Sequence, residues 1–204
     1  LRAPEGSPQR GGTFRFGFVV KPAHFDVHQS GTALNMNVQG PMYDNLLRLN
    51  PLGVAREIIP DLAESWDISE DGKSYTFHLR DGVLFHDGAL LTSEDVKATF
   101  DRIIAPPDGV IIPRESVFKA AAVTEIRAID PLTVEFVLSE ARPESLVLGA
   151  IASGWNIIVR KQTLIDNDFN LKRVKDYPGT GPYIFENFSD QEFFKMDANP
   201  NYWN

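Results

Sequence analysis

Cysteine is missing from all 204 residues. Structural disulfides, thiolate-bound zinc and a lipid-bearing cysteine within this chain are thereby excluded. Positive charge is scarce: 20 Lys and Arg stand against 28 Asp and Glu, a net charge of −8. A phosphate backbone attracts basic patches, so this balance argues against nucleic acid as a partner and offers nothing to anionic lipid. No stretch approaches the ~20 apolar residues of a membrane-spanning helix. There is no Gly-x-Ser-x-Gly elbow for a nucleophile. Gly11-Gly12 precedes a strand pattern, whereas a phosphate-binding glycine loop follows one.

What is there is an ordinary globular composition, 43% hydrophobic, in a chain long enough for one large or two modest domains without a covalent staple. Leu1 to Gly12 reads as a mobile arm, of the kind left by a cleaved export signal or by a trimmed terminus.

Periodicity supplies the elements. Phe14, Phe16 and Phe18 alternate with Thr13, Arg15 and Gly17, which predicts a strand over Gly12 to Val19. Leu34, Val38, Met42 and Leu46 fall on one helical stripe that Thr32 could cap, with Pro41 inside it as a kink. Asp71-Gly72, Asp81-Gly82 and Asp87-Gly88, flanked by alternating apolar residues, predict a meander over residues 58 to 88. Thr92 to Ile104 is the clearest helix, with Asp95 completing a capping box and Val96, Phe100, Ile103 and Ile104 as its apolar face. A hairpin turns at Asp130-Pro131, a short helix covers Pro143 to Ala152, Asn156 to Val159 is a buried strand, and Gln162 to Asn167 forms a helical turn. A last hairpin runs from Tyr183 to Met196.

Candidate chemistry is sparse. His24 and His28 are four apart and would share a helical face as metal ligands, but Phe25-Asp26 reads as loop and no nearby Glu completes a set. His86 and Asp87 cannot easily pair, because adjacent strand residues point to opposite faces. The carboxylates fit turns, caps and solvated faces. No catalytic residue, metal site or cofactor is expected. Met36 and Trp155 have a core reading and a ligand-cleft reading, the latter because aromatic walls with a few polar groups are typical of solute sites.

The run Pro60-Asp61-Leu62-Ala63-Glu64-Ser65-Trp66, continuing through Tyr75-Thr76-Phe77-His78-Leu79-Arg80 and Gly82-Val83-Leu84-Phe85-His86-Asp87-Gly88 to Leu91-Thr92-Ser93-Glu94-Asp95-Val96, resembles the bacterial extracellular solute-binding proteins of family 5. That family includes the oligopeptide-, dipeptide- and nickel-binding proteins of ABC importers. Met42-Tyr43-Asp44-Asn45-Leu46-Leu47, Gly179-Thr180-Gly181-Pro182-Tyr183 and Asn199-Pro200-Asn201-Tyr202-Trp203 agree with it.

The resemblance implies an α/β (α+β) fold: an incomplete periplasmic-binding-protein-like lobe carrying an inserted α+β domain. Residues 1–44 and 176–204 would form part of the first ligand-binding lobe, 45–175 the inserted domain, and the second lobe would be absent. It implies a periplasmic, non-enzymatic protein that captures a small solute, a short peptide first of all, for the membrane subunits of an ABC importer. A non-binding scaffold and a binder of an opine, sugar or metal chelate are the alternatives. By position, Gly31, Thr32, Ala33 and Met36 match one cleft-facing segment and Ser153, Gly154 and Trp155 another, where a nickel-binding relative carries an arginine in place of Ser153. An incomplete lobe would leave Phe14, Phe16, Phe18, Phe185, Phe193 and Phe194 partly uncovered, favouring self-association or pairing with a complementary C-terminal fragment.

Overall fold

Alternation and turn chemistry build the central sheet. In a computed structural model, which describes residues 11–17, 22–52, 57–189 and 192–204, the first short strands β1 (Leu47–Leu49) and β2 (Ile58–Pro60) pair with each other. β3 (Ala63–Ile68) and β4 (Ser74–Leu79) form a hairpin closed at Asp71-Gly72. Gly72 has φ +67°, a conformation that penalises a Cβ. Asp71 Oδ1 accepts from the Lys73 N–H at 3.1 Å and fixes the turn. A second hairpin, β5 (Val123–Asp130) and β6 (Thr133–Leu138), joins through β6, giving the antiparallel order β3-β4-β6-β5.

One face of this sheet is apolar at every second residue: Tyr75, Phe77 and Leu79 on β4, and Val134, Phe136 and Leu138 on β6, all buried. Helix α2 (Ser93–Ile104) covers it with Val96, Phe100 and Ile103. Phe100 meets Phe136 edge-on at 4.8 Å, Phe136 meets Phe77 at 5.2 Å, and Phe118 of α3 (Glu115–Ala120) meets Phe100 at 5.5 Å. Edge-to-face contacts match positive ring edges to negative faces. The expected capping box is present: the Thr92 N–H donates to Asp95 Oδ2 at 2.9 Å. Asp95 has a second task, accepting the Lys161 N–H at 2.8 Å and so seating α5 (Lys161–Asp166) beside α2. Helix α4 (Glu144–Ile151) adds Val147, Leu148 and Ile151 to the same core.

A second apolar cluster gathers Val27, Met42 and Tyr43 with Ile157, Val159, Leu164, Leu171 and Tyr177. The hairpin β7 (Tyr183–Ser189) and β8 (Phe193–Ala198) leans on it through Phe185, Phe194 and Met196. Phe193 remains about half exposed. Gly179 and Gly181 lie against the backbone of Met42 and Tyr43; a Cβ at Gly179 would stand 2.0 Å from the Met42 carbonyl oxygen. Asp44 closes this contact by accepting from the Thr180 hydroxyl at 3.0 Å, the Trp203 indole N–H at 2.9 Å and the Tyr202 hydroxyl at 3.2 Å. Three separate stretches of the sequence resemblance thus meet at one carboxylate.

Four expectations need correction. Residues 12–17 of the expected first strand are irregular, with Phe14 84% exposed; Phe18 and Val19 lie outside the described residues. The helical stripe from Leu34 to Leu46 is cut short: α1 spans Ala33–Gln39 and passes into a 3-10 turn over Gly40–Met42. Pro41 lacks the N–H that a continuing helix requires, and Leu46 belongs to the first core instead. Val83 to Phe85 makes only the single bridge Leu84↔Leu90 before the chain enters α2. Asn156 to Val159 is buried but has only the bridge Asn45↔Ile157. Its remaining backbone groups find other partners: the Ile158 N–H donates to the Asp44 carbonyl at 3.0 Å, and Thr99 Oγ1 serves both polar groups of Val159, at 3.1 and 3.0 Å.

Candidate functional site

The first expected segment is a loop tied down from behind. Asn35, buried on α1, donates to the His24 carbonyl at 2.9 Å. Thr32 occupies the N-cap position of α1, but its hydroxyl pairs with Ser30 at 3.2 Å and reaches Asn35 at 3.5 Å instead of capping the helix backbone. Gly31, Thr32 and Ala33 face outward, and nothing lies within 4 Å of where a Gly31 side chain would begin. Met36 is half-buried.

The second segment leaves α4 and turns sharply. The buried Asn156 side chain donates to the Ala150 carbonyl at 2.7 Å, and its backbone N–H to the Ser153 carbonyl at 2.9 Å. This leaves Ser153, Gly154 and Trp155 half-buried at the surface. The two segments meet: the Met36 methyl lies 3.6 Å from the Cβ position of Gly154. A Cβ at 154 would stand in ordinary van der Waals contact with the Met36 methyl, so the two segments lie within touching distance.

A third segment is not apparent in the sequence. The Ile111 N–H donates to Gln29 Oε1 at 3.3 Å, two residues before Gly31. Three residues further, the Arg114 guanidinium stacks on the Trp155 ring at 4.5 Å. The Ile111 side chain is 75% exposed. Trp155 Nε1 is buried and has no acceptor among the described residues. The stretch from Pro106 to Arg114 has no periodicity, and its one usable signal is an arginine in a Pro-rich loop directly after the strongest helix. Arg160, the arginine nearest to Trp155 in sequence, is paired with Asp87.

Beneath the first segment lies a buried polar cluster. Arg102 grips Asp26 with Nη2–Oδ2 at 2.5 Å and Nη1–Oδ1 at 3.3 Å, donates from Nη1 to His28 Nδ1 at 2.7 Å, and donates from Nε to the Phe169 carbonyl at 2.9 Å. His28 Nε2 donates to the Ile157 carbonyl at 2.8 Å, so the ring is the neutral Nε2–H tautomer. Burial and the adjacent guanidinium push its pKa down to about 4. Burial opposes ionisation of Asp26, but Arg102, helped by His28 and Gln29, holds its carboxyl at about 2.

The other sequence candidates separate. His24 and His28 are in an irregular loop, and His28 is committed to Arg102. His86 faces Gly179 and Gly181 while its neighbour Asp87 pairs with Arg160. No group of three His, Cys, Asp or Glu residues suited to a metal occurs among the described residues. A hollow of about 490 Å³ lined by Arg48, Arg80, Asp81 and Trp203 contains none of the seven expected site residues.

Comparison with known proteins shows what the chain is similar to. The family model described as Bacterial extracellular solute-binding proteins, family 5 Middle, matches residues 57–204. Di/tripeptide-binding protein 4 of Pseudomonas aeruginosa is 32% identical over 201 residues, covering 90% of this chain and 37% of that protein. The periplasmic binding protein DppA of Helicobacter pylori, solved with the peptide STSA, superposes with a TM-score of 0.77 at 28% identity, covering 90% of this chain and 38% of that one. The binding protein AgaA of A. tumefaciens R10, solved with agropinic acid, also gives 0.77, at 27% identity over 90% of this chain and 35% of its own. The chain thus spans little more than a third of the proteins it matches.

Proposed function

Because the chain belongs to the bacterial extracellular solute-binding proteins, family 5, we propose that it supplies one wall of the solute cleft of a periplasmic binding protein, which captures a short peptide and presents it to the membrane subunits of an ABC importer. The observation that carries this reading is the meeting of Met36 with Gly154, which joins two segments far apart in sequence into one partly exposed surface. The peptide-binding relative and the peptide-bound solved structure support peptide as the solute class.

In this reading Gly31, Thr32 and Ala33 approach the solute through backbone and small side chains, while Met36 and Trp155 give apolar contact. The sheet β3-β4-β6-β5 with α2 to α4 forms the inserted domain, and the second apolar cluster belongs to the first lobe. A cleft that surrounds most of its ligand needs two walls, so the 204-residue chain alone should bind poorly. Calorimetry on protein expressed from its whole reading frame, titrated with a mixed set of di- to pentapeptides, should give submicromolar binding for some of them. The isolated 204-residue chain should give none. Absence of binding by the whole protein to every peptide would overturn the peptide reading.

A further inference from the structure

We propose that Arg114 selects the solute by charge, taking a carboxylate of the bound molecule at the edge of the surface formed by Trp155, Met36 and Ile111; this rests on the solute-capture reading above. Three observations lead there. The guanidinium lies over the Trp155 ring, which holds its plane while leaving N–H edges free to meet a carboxylate at two points. It has no carboxylate or carbonyl acceptor among the described residues, whereas Arg102 is fully engaged by Asp26, His28 and Phe169, and Arg160 by Asp87. Finally, the three segments that meet here carry no acid. Residues 29–36, 110–114 and 153–156 contain neither Asp nor Glu, and the adjacent Glu115 pairs with Lys119.

In a chain of net charge −8, an uncommitted guanidinium where three segments without Asp or Glu come together is a local inversion of sign. A carboxylate arriving there gains a charge-assisted bond without displacing a protein partner. The Trp155 ring under the guanidinium is apolar, and Ile111, three residues before Arg114, is 75% exposed, so a carboxylate next to an apolar group fits better than a hydrated polyanion.

The test uses protein from the whole reading frame and calorimetry with four sets of probes. These are di- to pentapeptides as free acids, the same peptides as C-terminal amides, amides carrying one internal Glu, and non-peptide organic acids beside neutral sugars. Free acids should bind roughly ten- to a hundredfold more tightly than neutral amides, the usual weight of a hydrogen bond to a charged group. Arg114→Gln should erase that ratio and Arg114→Lys should keep part of it, with the melting temperatures of both unchanged. If the Glu-bearing amides recover the affinity, the carboxylate read is a side chain; if they do not, it is the C-terminus. An unchanged acid-to-amide ratio in Arg114→Gln overturns the role of Arg114 while leaving peptide capture standing. Binding confined to organic acids and lost in Arg114→Gln keeps that role and removes the peptide. Binding of sugars alone, or of nothing, removes both.

Discussion

Arg102 and Asp26 form a two-point ion pair with both side chains almost wholly excluded from solvent, at 0% and 1% exposure. The pair links the loop before α1 to the last turn of α2, and each remaining polar atom of the two groups has a further partner.

Breaking this pair on one side strands a buried charge. Asp26→Ala should therefore lower stability by about 3–5 kcal/mol, read by urea denaturation. The double variant Asp26→Leu with Arg102→Met removes both charges and should recover much of that loss. A double variant no more stable than Asp26→Ala would show that the backbone contacts of Asp26 to Gln29 and Leu171, and not the ion pair, hold this region.

Acid should act on the same cluster in two stages. His28 has a folded pKa near 4 against an ordinary 6.5, so its contribution is complete above 6.5 and falls away as pH drops towards 4. Asp26, held near 2 against 3.8, loses its contribution as pH falls from about 4 towards 2. His28→Gln should flatten the stability profile between pH 6.5 and 4 and leave the lower limb intact, as measured by melting temperature against pH.

Asp61 runs the other way. Burial, with Asp44 nearby, raises its carboxyl to about 6, so its contribution is full below 3.8 and is lost as pH rises through 6. Asp61→Asn can still accept the Asn45 N–H. It should stabilise the protein by about 1–3 kcal/mol above pH 6 and change little below pH 4. Equal effects at both pH values would mean that Asp61 is ionised throughout.

Gly181→Ala would place a Cβ 2.5 Å from the Tyr43 nitrogen, and Gly179→Ala one 2.0 Å from the Met42 oxygen. Backbone cannot yield as a flexible side chain can. Each substitution should cost about 3 kcal/mol or more, seen as a large fall in melting temperature. Gly31→Ala meets open space and should be neutral for folding.

A fragment of residues 45–175 contains the whole first core but leaves Arg102 without Asp26 and the second cluster without Val27, Met42 and Tyr43. It should be markedly less stable than residues 22–189, and Arg102→Leu within the fragment should restore dispersed amide NMR signals. If the fragment is disordered with Arg102→Leu as well, the sheet and its helices are not an independent folding unit.

Local pattern carries much of this fold. β4 and β6 are legible because Tyr75, Phe77, Val134 and Phe136 alternate without a break, and α2 because Thr92 and Asp95 announce its start. The same reasoning fails where tertiary contacts decide. Leu34 and Leu46 share a helical phase by number alone, since Pro41 ends the helix between them. Ile157 and Ile158 have strand composition, but Asn45, Asp44 and Thr99 satisfy the neighbouring backbone without a ladder. At the candidate site, Gly31, Met36 and Trp155 are legible through the resemblance. Arg114 and Ile111 are not, because only the folded chain brings their loop to Trp155 and Gln29.

The Thr99 hydroxyl clasps both polar groups of Val159, and Val159 lies only four residues after Trp155. The loop that carries Trp155 is therefore registered to α2, and through α2 to the sheet, before any solute arrives. A solute meeting it would not have to supply the entropy of arranging that loop. Loosening this one clasp, as Thr99→Val would, should leave the chemistry of the surface untouched while making each encounter with it slower to settle and quicker to end.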